Sequence, residues 1–181
     1  NIAFFLPLFA VSITTLSLIN ANFEREVNDE YFKKAESVGN NLSTILEDYV
    51  KGITDIEELS KKVTEIARFS GTDINTFNIK GKLLATSQPS IYENGLLSEY
   101  ANPNAFRHLI GGGDRAYTTN ESVGLLKYNS TYFGVKSFDT GELIGLVSIP
   151  FFQSEYALEQ SQIAVVISVI TIGTLAILRG Q

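Results

Sequence analysis

Glu121 to Phe152, ESVGLLKYNSTYFGVKSFDTGELIGLVSIPFF, is the stretch whose reading decides the fold. Tyr132, Phe133, Val135 and Phe138 are bulky residues that suit a pleated, half-buried surface. Asp139-Thr140-Gly141-Glu142 interrupts them as a tight turn. The pattern therefore predicts a strand over Leu125–Phe138, a hairpin, and a strand over Leu143–Ile149. Pro150 has no amide hydrogen, so the ladder is expected to end there and Phe151-Phe152 to lead the chain away.

Upstream, Ala116–Val123 reads as a further strand, and Ile74–Ile79 with Leu83–Ser87 flank Lys80-Gly81 as another hairpin. Between them, Gln88 to Asp114 looks irregular, with Pro89, Gly95, Pro103 and Gly111-Gly112-Gly113. Asn102-Pro103 has the form of a cap and first turn for a short helix over Asn104–Ile110. A loop this long inside a small domain is usually functional.

Helical spacing dominates before the strands. Thr54-Asp55-Ile56-Glu57 has the form of a capping box with Thr54 at the N-cap. The helix it opens carries Ile56, Leu59, Val63, Ile66 and Ala67 on one face and stops at Ser70-Gly71. Earlier still, Tyr31, Ala35, Val38, Leu42, Ile45 and Tyr49 recur as a heptad seam in one helix from Asn22 to about Lys51. The stripe broadens from Leu42 to include Leu46, Val50 and Ile53, which suits a sheet. The narrower part suits another helix, from the second span of the same chain or from a second subunit of a homodimer; the equal alternative is one amphipathic helix of a monomer. The expected class is α+β: a long N-terminal helix and a second helix on one side of a five-stranded antiparallel sheet.

The two ends differ from the middle. Ile2–Ile19 and Ile163–Leu178 are free of charge, and each is close to the length needed to cross a bilayer as a helix. No small-residue cleavage site follows the first, which opposes a signal peptide. Arg179 is the one charged residue outside the segment between these spans, and it favours a cytoplasmic C-terminal side. The expected organisation is a first transmembrane helix over 1–20, a stalk helix over 21–53, a sensor domain over 54–153, and a second transmembrane helix with its exit over 154–181. About 21–159 would then face outside a bacterial inner membrane. Because Asn1 opens the chain and Met is absent, it is expected to be a piece of a longer protein.

Net charge is -6 with a pI near 4.8 and no basic run, which argues against nucleic acid as a partner. Without cysteine the chain has no disulfide, thiolate metal site or thiol nucleophile. One histidine, His108, cannot make a catalytic triad or a zinc site. No catalytic residue, metal or cofactor is expected.

FSGTDINTFNIKGKLLATS, together with the stretch from Glu121 to Phe152, resembles the extracytoplasmic single-Cache (PAS-like) sensor of transmembrane histidine kinases of the nitrogen-regulation type. Gly81, Gly124, Tyr128, Tyr132, Gly141, Gly145 and Pro150 stand where such a sensor would have them. The resemblance implies a kinase core beyond Gln181 and, through it, a cytoplasmic response regulator. The chain itself is then not an enzyme.

A pocket needs an apolar lining with a few convergent polar groups. Tyr117, Tyr128 and Tyr132 supply ring and hydroxyl together. Tyr92, Arg107, His108 and Arg115 lie in or beside the segment that would close over them. These seven are the candidate ligand-binding residues for an unidentified small molecule; the bland alternative is that the tyrosines are core and the arginines solvated. The leading expectation is a ligand-sensing receptor module that signals by displacing its membrane helices. The rivals are a membrane-tethered protein-interaction or structural domain, and the same sensor on a chemotaxis or cyclase output.

Overall fold

A computed structural model describes the backbone of residues 5–151, and side chains from Thr14 onward except Leu16, Asn20 and Glu24. Helix α1 (Phe5–Val50) runs unbroken, and Gly52, at φ +72°, lets the chain turn after it. Among the described residues no helix is long and apolar enough to cross a membrane. Ile163–Leu178 and Phe152 lie outside the described residues.

Helix α2 (Ile56–Ser70) starts one residue later than the capping-box reading. Asp55, not Thr54, is its N-cap: the Asp55 carboxylate accepts from the Glu58 amide at 2.9 Å. An ionised oxygen is the stronger acceptor at the positive end of a helix. Thr54 instead donates to the Glu58 side chain at 3.1 Å. Gly71, in the left-handed region, closes the helix.

Strands β1 (Asn75–Asn78), β2 (Leu83–Thr86), β3 (Ala116–Val123), β4 (Leu126–Lys136) and β5 (Leu143–Phe151) form one antiparallel sheet in the order β2-β1-β5-β4-β3. Phe138 lies past the end of β4 and is exposed. The ladder does not end at Pro150. Ser130 pairs with Pro150 and Asn129 with Phe151. Strand β1 pairs with β5 no further than Ser148, so Pro150 sits where β5 has an open side, and a missing amide hydrogen is tolerated there.

Each face of the sheet is covered. Phe133, Val147 and Ile149 point toward α1 and α2, where they bury Ala35, Val38, Leu42, Leu46, Leu59 and Val63. Burying a leucine such as Leu42 or Leu46 contributes about 1.5–3 kcal/mol. Ala35 and Val38 are thus spent on this chain's own sheet, which corrects the reading of the narrow seam as a contact for another helix. Gly39 lets α1 approach: a Cβ there would stand 2.5 Å from the Phe133 ring.

The other face carries Phe77, Tyr132 and Leu146 under Ala101, Ala105 and Leu109. The covering segment is more ordered than its prolines and glycines suggest. It holds α3 (Pro89–Glu93), α4 (Pro103–Phe106) and a wider helical turn over Arg107–Gly111. Asn102 caps α4 by accepting from the Asn104 amide at 2.9 Å. Helices therefore lie on both faces, not one, because alternation along β4 and β5 leaves apolar side chains on both. Residues Val27–Phe151 form one compact unit.

Candidate functional site

The period-2 alternation of β3 and β4 sorts the polar residues. Phe133 and Val135 face α1, so Tyr128, Ser130 and Tyr132 face the covering segment. Register places Glu121 opposite Tyr128 and Tyr117 opposite Tyr132 on that face. Ser148 stands opposite Tyr132 from β5, and Asn75 opposite Ser148 from β1.

Tyr132 is 3% exposed and its hydroxyl is shared. It donates to Glu121 Oε1 at 2.7 Å and accepts from the Asn102 amide at 3.3 Å. That pair of bonds joins β3, β4 and the start of α4 at one oxygen. Tyr128 also hydrogen-bonds Glu121. Tyr92, half-buried on α3, comes close enough for the Glu121 carboxylate to act on its hydroxyl. Burial first, and the Glu121 charge second, push all three phenols above the ordinary tyrosine range. They stay protonated and remain donors. Beside them, Asn75 donates to Ser148 Oγ at 3.3 Å and accepts from Thr86 Oγ1 at 2.7 Å.

The structure therefore brings Tyr92, Tyr128 and Tyr132 together and leaves the other candidates apart. His108 stacks on Tyr117 with centroids 4.1 Å apart and rings within 12° of parallel. Its Nδ1 lies 2.9 Å from Asp114 Oδ2. Arg107 donates to Asn104 beside it on the surface. Arg115 reaches the α1 face instead, donating to Glu36 at 2.7 Å. Sequence reasoning missed Glu121. The signal was available: on β3 it falls four residues after Tyr117, on the same face at strand spacing.

A cleft of about 830 Å³ lies elsewhere, lined by Asn40, Ser43, Ile110, Arg115, Gly134 and Phe138 among others. The tyrosine–Glu121 cluster is joined by hydrogen bonds across β3, β4 and the start of α4, which makes it the better-built site. Among the described residues no group of His, Asp and Glu could hold a metal ion.

Among solved structures the chain is similar to the sensor domain of E. coli DcuS, at 12% identity, covering 74% of this chain and 96% of that one, with a TM-score of 0.51. The architecture matches the PAS-like sensor fold. The histidine kinase DctB sensor domain of V. cholerae gives 10% identity, 78% and 57% coverage and a TM-score of 0.49. The periplasmic sensory domain of the Campylobacter jejuni chemoreceptor Tlp1 gives 10%, 76% and 58%, and 0.49. The chain spans under three fifths of the length of the DctB and Tlp1 domains. No protein-family model matches the sequence, and no curated protein matches it significantly.

Proposed function

We propose that this chain is the extracytoplasmic ligand-sensing region of a bacterial transmembrane receptor, with a two-component histidine kinase of the nitrogen-regulation type as its output. One observation carries the sensing part. A polar cluster, half-buried Glu121 and Tyr92 with buried Tyr128 and Tyr132, lies between the sheet of a PAS-like sensor fold and the segment that covers it. A ligand that parts or replaces the Tyr132 bonds to Glu121 and Asn102 moves that segment relative to the sheet, and can shift a two-state equilibrium by its differential affinity.

The membrane part rests on the uncharged runs Ile2–Ile19 and Ile163–Leu178, and the kinase output on the sequence resemblance. In this reading the phosphotransfer chemistry belongs to the kinase, which passes the signal to a response regulator. A homodimer would use the face of α1 turned away from the sheet, because Ala35 and Val38 are buried in the chain's own core.

Ligand sensing is tested in the full-length receptor by screening small molecules for a rise in unfolding midpoint and repeating each hit with Tyr132→Phe and Tyr92→Phe. A ligand of this site loses affinity in both variants; hits that both variants bind normally put the sensing site elsewhere. Sidedness has its own test, helped by the absence of cysteine from these 181 residues. Ser98→Cys, on an exposed turn, should react with a membrane-impermeant maleimide in intact cells. Labelling only after lysis refutes the extracytoplasmic placement.

A further inference from the structure

The charge of the tyrosine cluster says which chemical class it suits. Glu121 is the charged side chain among Tyr92, Tyr128 and Tyr132, and the hydrogen bonds it receives come from neutral phenols. Those bonds solvate the carboxylate without neutralising it. Among the described residues no basic group faces the cluster from the elements around it. Arg107 is held by Asn104, Arg115 by Glu36 on the far side of the sheet, and His108 lies between Tyr117 and Asp114. Lys127, next to Tyr128 on β4, belongs to the opposite face by alternation and is exposed. The covering segment adds charge of the same sign. Between Lys82 and Arg107 its charged residues are Glu93 and Glu99.

A partly buried carboxylate with no counter-ion among the described residues, set among tyrosines, attracts a cation in two ways. The carboxylate supplies the Coulomb term, and the apolar bodies of the tyrosines give a poorly hydrated surround that suits an organic cation better than a strongly hydrated metal ion. An anionic ligand would meet Glu121 with no basic side chain to receive it. Resting on the sensory reading above, we infer that the cluster of Glu121, Tyr92, Tyr128 and Tyr132 binds the ammonium group of an organic cation. Glu121 pairs with the charge, the three tyrosines stand beside it, and Asn75 and Ser148 offer hydrogen bonds to the rest of the molecule.

The test uses the chain in lipid nanodiscs and follows its unfolding midpoint and its tyrosine fluorescence, which no tryptophan obscures. The probes are choline, tetramethylammonium and putrescine as chlorides. The controls are 3,3-dimethyl-1-butanol, the uncharged isostere of choline, and sodium succinate. At least one ammonium probe is expected to raise the midpoint and change tyrosine emission, while the uncharged isostere at equal concentration does neither. Glu121→Gln keeps an acceptor for Tyr132 and removes the charge, so affinity for that probe should fall about tenfold or more. If no ammonium probe protects the protein, the inference fails while the site stands or falls by the variants described above. Succinate protection that survives or strengthens in Glu121→Gln overturns the charge assignment and leaves the sensory site in place. Ammonium protection untouched by Glu121→Gln and Tyr92→Phe overturns both.

Discussion

Ser137, just past the end of β4, donates to Glu47 of the long helix α1 at 2.8 Å. The other Glu47 oxygen accepts from the Phe138 amide at 3.1 Å, and Lys51 completes the set at 3.0 Å. Lys51 also reaches Asp139 in the β4–β5 turn at 2.7 Å. The last turns of α1 are thus fastened to one end of the sheet through a carboxylate that touches little water.

That contact sets a pH dependence. Lys51 first, then Ser137 and the Phe138 amide, hold the Glu47 pKa down to about 2 from an ordinary 4.5. A carboxyl depressed in the folded state contributes stability that is complete above its unfolded value and is lost as pH falls toward the folded one. The stabilisation from Glu47 should therefore fade between about pH 5 and pH 2. Glu47→Gln should lower the unfolding midpoint at neutral pH, with the gap from wild type narrowing across that window. A gap that stays constant with pH would show that charge is not what Glu47 contributes.

Gly39 tests the approach of α1 to the sheet. Alanine would gain about 1 kcal/mol of helix propensity over glycine. Its methyl group would also meet the buried Phe133 ring at 2.5 Å, and overpacking of that kind costs about 1–3 kcal/mol. The clash should win, so Gly39→Ala should be destabilised by roughly 1 kcal/mol in urea unfolding. Pairing it with Phe133→Leu should restore part of the loss. A stabilised Gly39→Ala would mean that the helix and β4 are free to part.

Tyr132→Phe removes one hydroxyl and strands two partners. The Asn102 amide loses its acceptor and Glu121 loses a 2.7 Å donor, with Tyr128 still in place. The expected cost is about 1–2 kcal/mol. Tyr100→Phe, at an exposed position, should change stability little and serves as the control. Hydrogen exchange adds a local reading: the Asn102 amide should exchange faster in Tyr132→Phe while amides of β5 keep their protection.

How much of this was legible in the sequence depended on whether a signal was local. Periodicity marked α1 and α2, because a buried face imposes its spacing on a helix, and bulky residues between turn signals marked the strands. Tyr128 and Tyr132 were found because aromatic residues that carry a hydroxyl stand out on a strand. The partner of Tyr132 was harder to see, since Glu121 gains its role only through cross-strand register. Arg115 misled for the converse reason. It adjoins the covering segment in sequence, yet it leaves toward Glu36 on α1. The heptad at Ala35 and Val38 fitted a partner helix and a sheet equally well, and only tertiary packing chose the sheet.

Phe151 stacks on Tyr31 of α1 with ring centroids 3.8 Å apart and planes within 9° of parallel. Because β5 keeps its pairing through Pro150, the strand delivers Phe151 to the helix as part of the sheet rather than as a flexible exit. A displacement of β5 therefore acts directly on α1 near Tyr31. Phe151→Leu keeps most of the apolar volume and removes the stacked pair, which is worth about 0.5–1.5 kcal/mol beyond area burial. In the full-length receptor, ligand affinity should stay within about twofold of wild type, while the fraction of output switched by saturating ligand should fall, as expected when a coupling of about 1–3 kcal/mol is weakened. Tyr31→Leu should give the same phenotype, and the double variant should be no worse than either single one, because both remove one shared contact. Normal output from Phe151→Leu with intact binding would move the transmission to the contact of Glu47 with Ser137, where Glu47→Gln would then be the uncoupling variant.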